Sequence, residues 1–213
     1  MSAAIELYRN SETLVKPKNK YRIQLKNQVE IFKYAKVFYK EFVKGITHFG
    51  FSSIGYKSSQ QRALLGVACY FRQVQGLKTG IITDNLSGVF KVLIDKGLEV
   101  ELESEKGLII KCHQIDGMYV FDLESLMNLA NEENISFGEI LETIENYTDV
   151  NFFDIPDLET IKVYLSIFKP VLLKLHSLSI IYFEDNANNL IEEVHNYFNQ
   201  NGIDLRGGLM QLP

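Results

Sequence analysis

The sequence predicts an α/β fold, a three-layer α/β/α domain in which a mostly parallel sheet lies between two layers of helices. Short apolar runs alternate along the chain with longer segments of helical periodicity. Several of these runs are continuously apolar, as expected of strands that are buried on both faces. With 213 residues, 46% of them hydrophobic, the chain can bury one substantial core. We therefore expect a single layered domain.

The helices and strands are predicted from the spacing of the apolar residues and from the Gly, Pro and Asn residues that separate one element from the next. Residues 1–25 are polar and predict an irregular N-terminal segment, and residues 26–213 predict the one domain. Helices are predicted at 26–45, 58–75, 87–96, 135–146, 158–173 and 186–200. Strands are predicted at His48–Ser53, Thr79–Thr83, Leu98–Glu103, Leu108–Gln114, Met118–Leu123, Val150–Ile155, Leu178–Phe183 and Ile203–Leu212.

Charge and composition exclude several classes of function. The net charge of −5 argues against nucleic-acid binding, and no apolar run is long enough for a membrane span. The N-terminus lacks the pattern of a signal peptide, so a cytoplasmic protein is expected. Cys69 and Cys112 lie in apolar runs and predict core thiols, and the four histidines form no metal-binding pattern.

The basic residues are concentrated near the N-terminus. Residues 1–44 contain ten Lys and Arg against four acidic residues, whereas the remainder is strongly acidic. The helix at 26–45 therefore presents either a solvated basic face or a docking face for an acidic partner or for the chain's own acidic body.

One segment, Phe49–Ser59, has the order of a phosphate-binding loop. A strand leads into a Ser/Gly turn, then Lys57-Ser58-Ser59, then a helix, as in strand–G-x-x-x-x-G-K-[ST]–helix. The register departs from that pattern, because Phe51 and Tyr56 stand where the two glycines belong. A side chain at those positions disfavours positive φ and crowds the space where backbone N–H groups surround an anion.

Together with four other segments, this loop resembles the deviant-Walker P-loop ATPases, the MinD/ParA group. Within that group the layout is most similar to the cytoplasmic bacterial tyrosine kinases of exopolysaccharide systems. The other matching segments are the helix before the first strand, the strand and turn Ile81–Ser87, the strand Tyr147–Asp157 and the closing segment Gly207–Gln211.

The resemblance assigns candidate roles to the loop and to the end of the chain. Lys57 would meet a phosphate and Ser58 would ligand Mg²⁺, with Gly55 and Ser59 completing the nucleotide-binding loop. Gln211 would reach an adenine edge, or be a solvated strand end. The alternative for Lys57 and Ser58 is that they merely start a helix.

The acidic positions of the family are only partly kept. Asp154 would hold Mg²⁺ through water, or would instead cap the helix that begins near Leu158. Thr83 and Asn85 stand where the family has two aspartates. Asp84 is one residue out of place, and strand alternation predicts that it points to the other face.

These losses favour a catalytically degenerate pseudo-ATPase or pseudokinase that acts through protein contacts. By resemblance it would pair with itself or with an active paralogue in a bacterial cell-surface, polysaccharide or positioning system, and would reach a membrane only through a partner. No cofactor is then expected. The alternative is an active ATPase or tyrosine kinase with an atypical loop, in which ATP and Mg²⁺ bind and Lys57 and Asp154 are catalytic.

Overall fold

The computed structural model describes residues 28–54, 57–182, 187–204 and 206–211, and it describes side chains for 34–54, 57–181 and 192–204. The helices are α1 Gln28–Val43, α2 Lys57–Gln73, α3 Lys91–Lys96, α4 Leu123–Glu132, α5 Phe137–Glu145, α6 Leu158–Val163, α7 Leu165–Leu172 and α8 Ala187–Gln200. The strands are β1 His48–Ser53, β2 Thr79–Thr83, β3 Leu98–Glu103, β4 Ile109–Ile115, β5 Met118–Asp122, β6 Val150–Asp154, β7 Ser177–Tyr182 and β8 Arg206–Gln211.

The described strands form one eight-stranded sheet in the order β3-β4-β5-β2-β6-β1-β7-β8. From β5 to β8 every neighbouring pair is parallel, and β4 runs against both of its neighbours. A two-residue Asp116-Gly117 turn, with positive φ at both positions, joins β4 to β5 and fits a hairpin of this length. The predicted α/β class with a mostly parallel sheet is confirmed.

Two apolar cores cover the two faces of the sheet. Neighbouring residues of the central strands point to opposite faces, so that Phe152 packs with α1 and α2 whereas Phe153 packs with α5 and α6. Burial on both faces explains the continuously apolar strands, because neither face of the sheet meets water.

Most predicted elements are present, with two differences in the helices. Helix α4 was not predicted, because it begins directly after β5 with no loop between them, and Asp122 both ends the strand and caps the helix through Ser125 N–H (3.1 Å). The single helix predicted at 158–173 is two helices, interrupted at Tyr164. The predicted irregular segment 1–25 lies outside the described residues.

Two further predictions concern single features. Cys69 and Cys112 are buried free thiols, as predicted. None of the described helices has the length and apolar character that crossing a membrane requires.

Candidate functional site

Three adjacent strands of the sheet end at the same edge and form the candidate site. In the order β2-β6-β1, they end at Thr83, Asp154 and Ser53. Thr83 and Phe51 both lie in register with Asp154. Ligand sites of parallel α/β sheets lie at this carboxyl edge, so the topology brings the separated sequence segments together.

Lys57 is the first residue of α2, and its ammonium lies between two carboxylates. Its Nζ is 2.8 Å from Asp84 Oδ1 and 3.1 Å from Asp154 Oδ1. It also donates a hydrogen bond to the backbone oxygen of Ile155 at 2.7 Å. The lysine charge is therefore matched by acidic groups of the chain itself.

Asp154 is fully buried, and both of its carboxylate oxygens accept hydrogen bonds from amide and hydroxyl groups. Gln60 Nε2 donates to Oδ1 at 2.6 Å, while Gln61 Nε2 at 3.0 Å and Thr83 Oγ1 at 2.6 Å donate to Oδ2. Its side-chain exposure is 0%. These donors, together with Lys57, compensate a charge that would otherwise be very costly to bury.

The capping alternative for Asp154 is wrong. The residue that caps α6 is Asp157, whose carboxylate accepts from Thr160 N–H at 3.0 Å. Strand β6 extends through Asp154, and α6 begins only at Leu158, so Asp154 lies too far from the helix start to cap it.

The expectation that Asp84 points away from the site is also wrong. Strand alternation applies only within a strand, and β2 ends at Thr83. Asp84 follows in the turn and places its carboxylate 2.8 Å from Lys57. Burial raises the pKa of Asp84, and the neighbouring Lys57 opposes that shift.

Thr83 and Asn85, which stand where the family has aspartates, have structural partners. Thr83 bonds to Asp154 and also accepts the backbone N–H of Asn85 at 3.0 Å. The Asn85 side-chain oxygen accepts from the backbone N–H of Ser87 at 3.0 Å and from the Ser87 hydroxyl. Both residues hold the β2–α3 turn in place.

The other predicted loop residues are not gathered around Lys57. Ser58 is exposed and Ser59 is half-buried, and neither hydroxyl bonds to another residue in the described part of the chain. Gly55, like Tyr56, lies outside the described residues. Gln211 ends β8 at the edge of the sheet, in register with Tyr182, and its side chain is not among those described.

The side chains around Lys57 and Asp154, as they are arranged, do not fit a Mg²⁺ site. Mg²⁺ is bound by carboxylate and water oxygens, but Asp84 and Asp154 face the Lys57 ammonium, and the Asp154 oxygens face N–H and O–H donors. Over the described ranges, no group of three or more His, Cys, Asp or Glu residues is placed to hold a metal ion.

Sequence reasoning missed Gln60 and Gln61. Both side chains are buried although they are polar, and Gln60 also donates to the backbone oxygens of Phe51 and Ile155. The available signal was position: Gln60 is one helical turn before the apolar Leu64 and therefore lies on the same face of the helix. A buried amide at that position needs hydrogen-bond partners, and Asp154 supplies one.

The buried histidine, His48, lies at the other end of β1 from the candidate site. Its ring stacks on His176 with a centroid distance of 4.9 Å, and its Nδ1 is 3.1 Å from the Lys174 backbone oxygen. Burial, and secondarily the neighbouring His176, lowers the pKa of His48 to about 4, so the ring is neutral at physiological pH. The geometry gives it a packing role.

Comparison with known proteins supports the fold. No protein-family model matches the chain. No curated protein matches it either. Among solved structures, the kinase domain of Escherichia coli tyrosine kinase ETK is similar with a TM-score of 0.58 and 13% identity, over 94% of this chain and 84% of that one.

Two further structures are similar at the same level. The VpsO kinase domain gives a TM-score of 0.53 at 14% identity, covering 87% of this chain and 94% of that one. The chimerical protein CapA2B2 gives 0.52 at 14% identity, covering 79% and 77%. The predicted resemblance is confirmed at the level of the fold: this chain has the α/β fold of these bacterial kinase domains.

Proposed function

We propose that this protein is a catalytically degenerate P-loop protein, a pseudo-ATPase or pseudokinase that acts through contacts with other proteins. The observation that carries the proposal is that β1 continues through Ser53 and stays paired with β7 to that residue. An intact phosphate-binding loop places four residues between its two glycines, ahead of the lysine. Here the first glycine position is Phe51, which lies inside β1.

The backbone from Phe51 to Ile54 is hydrogen-bonded within the sheet. Residues 51–53 pair with β7, and the N–H of Ile54 donates to the Ile181 oxygen at 3.0 Å. Phe51 is fully buried, and its ring stacks on Phe38 at a centroid distance of 5.2 Å. A phosphate-binding loop depends on free backbone N–H groups directed at the anion, so this pairing supports a loss of nucleotide binding.

The charge around Lys57 supports the same conclusion. A phosphate lysine acts through its positive charge, but the Lys57 ammonium has two carboxylates within 3.1 Å. A triphosphate approaching it would meet the negative charge of Asp84 and Asp154. Binding would require the chain to break a network that compensates a fully buried carboxylate.

One observation favours the alternative of an active ATPase or tyrosine kinase. The side chain of Asp84 is 26% exposed beside Lys57, so a second carboxylate is available at the sheet edge. With Asp154, it would supply acidic oxygens that Thr83 and Asn85 lack. In that case ATP and Mg²⁺ are the cofactors, and Asp84 must turn away from Lys57 when they bind.

Calorimetric titration with ATP and Mg²⁺, combined with an assay of phosphate release, tests the proposal. We expect no binding heat and no turnover from the parent chain. Micromolar binding together with turnover that Lys57→Ala abolishes would overturn the proposal. The matched control is Lys91→Ala, since Lys91 is an exposed lysine that pairs only locally with Asp95.

Loss of turnover in Asp84→Asn would then establish the alternative, because that substitution keeps the size of the side chain and removes its charge. No loss in Asp84→Asn would leave Asp154 as the metal-binding carboxylate of the active form.

The proposal also includes the partners of the protein and its location in the cell. The protein would pair with itself or with an active paralogue of a bacterial cell-surface, polysaccharide or positioning system, would remain in the cytoplasm, and would reach a membrane only through such a partner. Its net charge of −5 argues against nucleic acid as a partner. A pull-down that recovers neither a copy of the chain, nor an ATPase paralogue, nor an envelope component would contradict this assignment.

A further inference from the structure

The outer surface of α6 and α7 carries an apolar stripe that other described elements leave uncovered. Val163 on α6 and Ile167 on α7 are 72% and 49% exposed. Pro170 is also exposed. Isolated exposed apolar residues are ordinary, but neighbouring ones on a single helix face indicate a contact surface.

Five positions define this outer stripe: Glu159, Val163, Ile167, Pro170 and Lys174. The first four lie in α6 and α7 and Lys174 lies in the turn after α7, and their spacing of four, four, three and four residues matches one side of a helix with 3.6 residues per turn. The opposite side is buried in the core through Ile161, Val171, Leu172 and Leu175. All five stripe residues are exposed.

The interruption at Tyr164 is confined to one residue. Tyr164 has φ −113° and ψ 33°, and Ile167 N–H donates to its oxygen at 3.0 Å, whereas Tyr164 N–H donates to the Thr160 oxygen at 3.0 Å and Phe168 N–H to the Tyr164 oxygen at 3.3 Å. An unbroken helix from Glu159 to Lys174 would extend about 22 Å, at 1.5 Å per residue, and the interrupted stripe has roughly that length. That length suffices for a helix-to-helix contact.

The order of residues along the stripe makes it complementary to itself. The stripe begins with a carboxylate, continues with three apolar side chains and ends with an ammonium. When two such helices pack antiparallel, the acidic end of each meets the basic end of the other. The midpoint falls between Ser166 and Ile167, so a two-fold axis there places Val163 opposite Pro170 and Glu159 opposite Lys174 of a second copy.

The present contacts of the two charged ends leave them able to pair. The Glu159 side chain is 72% exposed and makes only a local bond to Lys162 at 2.9 Å within the described chain. The Lys174 ammonium lies over the backbone of Gly138 and is close enough to Glu145 to affect it electrostatically.

We propose that this outer stripe is the surface through which two copies of the chain associate, with α6–α7 of one copy antiparallel to α6–α7 of the other. The proposal rests on the proposed function, since it specifies the self-pairing named there. It commits to a second copy because the two charged ends fit an identical, reversed stripe. The axis lies on the outer face of α6–α7, away from the carboxyl edge of the sheet that holds Lys57.

The test is the concentration dependence of the mass of the full chain, measured by sedimentation equilibrium without nucleotide. The parent chain should dimerise, and Ile167→Lys should weaken the dimer by at least about tenfold, because it places two like charges beside the axis. The matched control is Val37→Lys, which changes a 57% exposed valine on α1 and should have no effect.

Charge reversal tests the antiparallel register. Glu159→Lys and Lys174→Glu should each weaken the dimer, because each places like charges together at both ends of the contact. The double variant should regain the parent affinity, since it restores opposite charges. If circular dichroism shows that Ile167→Lys is unfolded, these two substitutions at exposed residues test the proposal instead.

A chain that stays monomeric, or a dimer that Ile167→Lys leaves intact, would overturn the proposal. A monomeric chain would indicate that the stripe binds another protein or a lipid surface. A dimer that Ile167→Lys does not weaken would indicate that the two copies associate through another face. ATP binding is measured separately. Dimerisation through the stripe in a chain that turns over ATP would contradict only the proposed function, and a monomer that binds no ATP would contradict only this inference.

Discussion

Lys57 contributes to the structure in a way that its position in a nucleotide-binding motif does not require. It is the only cationic side chain within ion-pair distance of the buried Asp154 carboxylate among the described residues. Removing one member of a buried ion pair leaves an uncompensated charge, which is far costlier than the loss of an exposed pair. The lysine therefore stabilises the fold whether or not it also meets a phosphate.

We expect Lys57→Ala to lower the free energy of unfolding by about 3 kcal/mol, because Asp154 would be left buried without a cation. Urea denaturation followed by circular dichroism measures this change. Lys91→Ala, at an exposed pair, should change stability by less than about 0.5 kcal/mol. A Lys57→Ala protein as stable as the parent would contradict the structural role.

Only part of the arrangement of side chains at the candidate site could be predicted from the sequence. The sequence placed Lys57 at the start of a helix and Asp154 near the end of a strand, the resemblance put both in one site, and the two residues do meet. It could not place Asp84, because the direction of that side chain depends on where β2 ends. Gln60 and Gln61 carry no recognisable motif, and their role exists only through the burial of Asp154 against them.

At the scale of elements, α1 shows how a basic helix is held to an acidic body. Its aromatic side packs on the sheet and on α2, with Phe38 stacked on Phe51 and Tyr39 5.7 Å from Phe71. Lys36 and Lys40 are exposed on the other side. Aromatic packing therefore holds α1 to the domain, and Lys36 and Lys40 remain exposed.

We expect Phe38→Ala to destabilise the protein by about 3 kcal/mol, since it opens a cavity between α1 and β1. The double substitution of Lys36 and Lys40 by Ala should stay within about 0.5 kcal/mol, because both side chains are solvated. Thermal or urea unfolding compares the two variants. A loss from the lysine variant as large as that from Phe38→Ala would indicate that the basic face docks on the acidic body.

Helices α4, α6 and α7 show which features of the elements cannot be predicted from apolar periodicity. Apolar periodicity locates a helix but does not locate its ends, which depend on single caps such as Asp122 and Asp157. The interruption at Tyr164 has no Gly or Pro at that residue to announce it. The exposed stripe on these helices likewise becomes visible only when the buried side is known.

At the scale of the whole molecule, one sheet joins two apolar cores. Cys69 belongs to one core and Cys112 to the other. Burial raises the pKa of both thiols to about 12, so each is protonated and unreactive at neutral pH while the protein is folded. Because the central strands contribute side chains to both cores, neither face can unfold without exposing the sheet to water.

We therefore expect both thiols to resist an aromatic disulfide reagent in the native state and to become reactive over the same range of urea concentration. Mass spectrometry of the two cysteine peptides, compared with the loss of circular dichroism, measures this. An exposed reporter, Lys106→Cys on the β3–β4 hairpin, should react at once. Labelling of Cys112 well before Cys69 would show that the β3–β4 hairpin opens independently.

The sequence by itself determined the fold class, the positions of the strands along the chain and the resemblance to a family, because these depend on apolar periodicity and on the order of motifs. It also placed a lysine where a phosphate-binding loop would have one. Only the tertiary structure decided that this lysine faces two carboxylates, that residues 51–53 pair within the sheet, and that an apolar stripe remains outside. The first two features depend on which distant segments meet at one edge of the sheet, and the third depends on which side of α6 and α7 the core covers. The periodicity of apolar residues along the sequence does not contain that information.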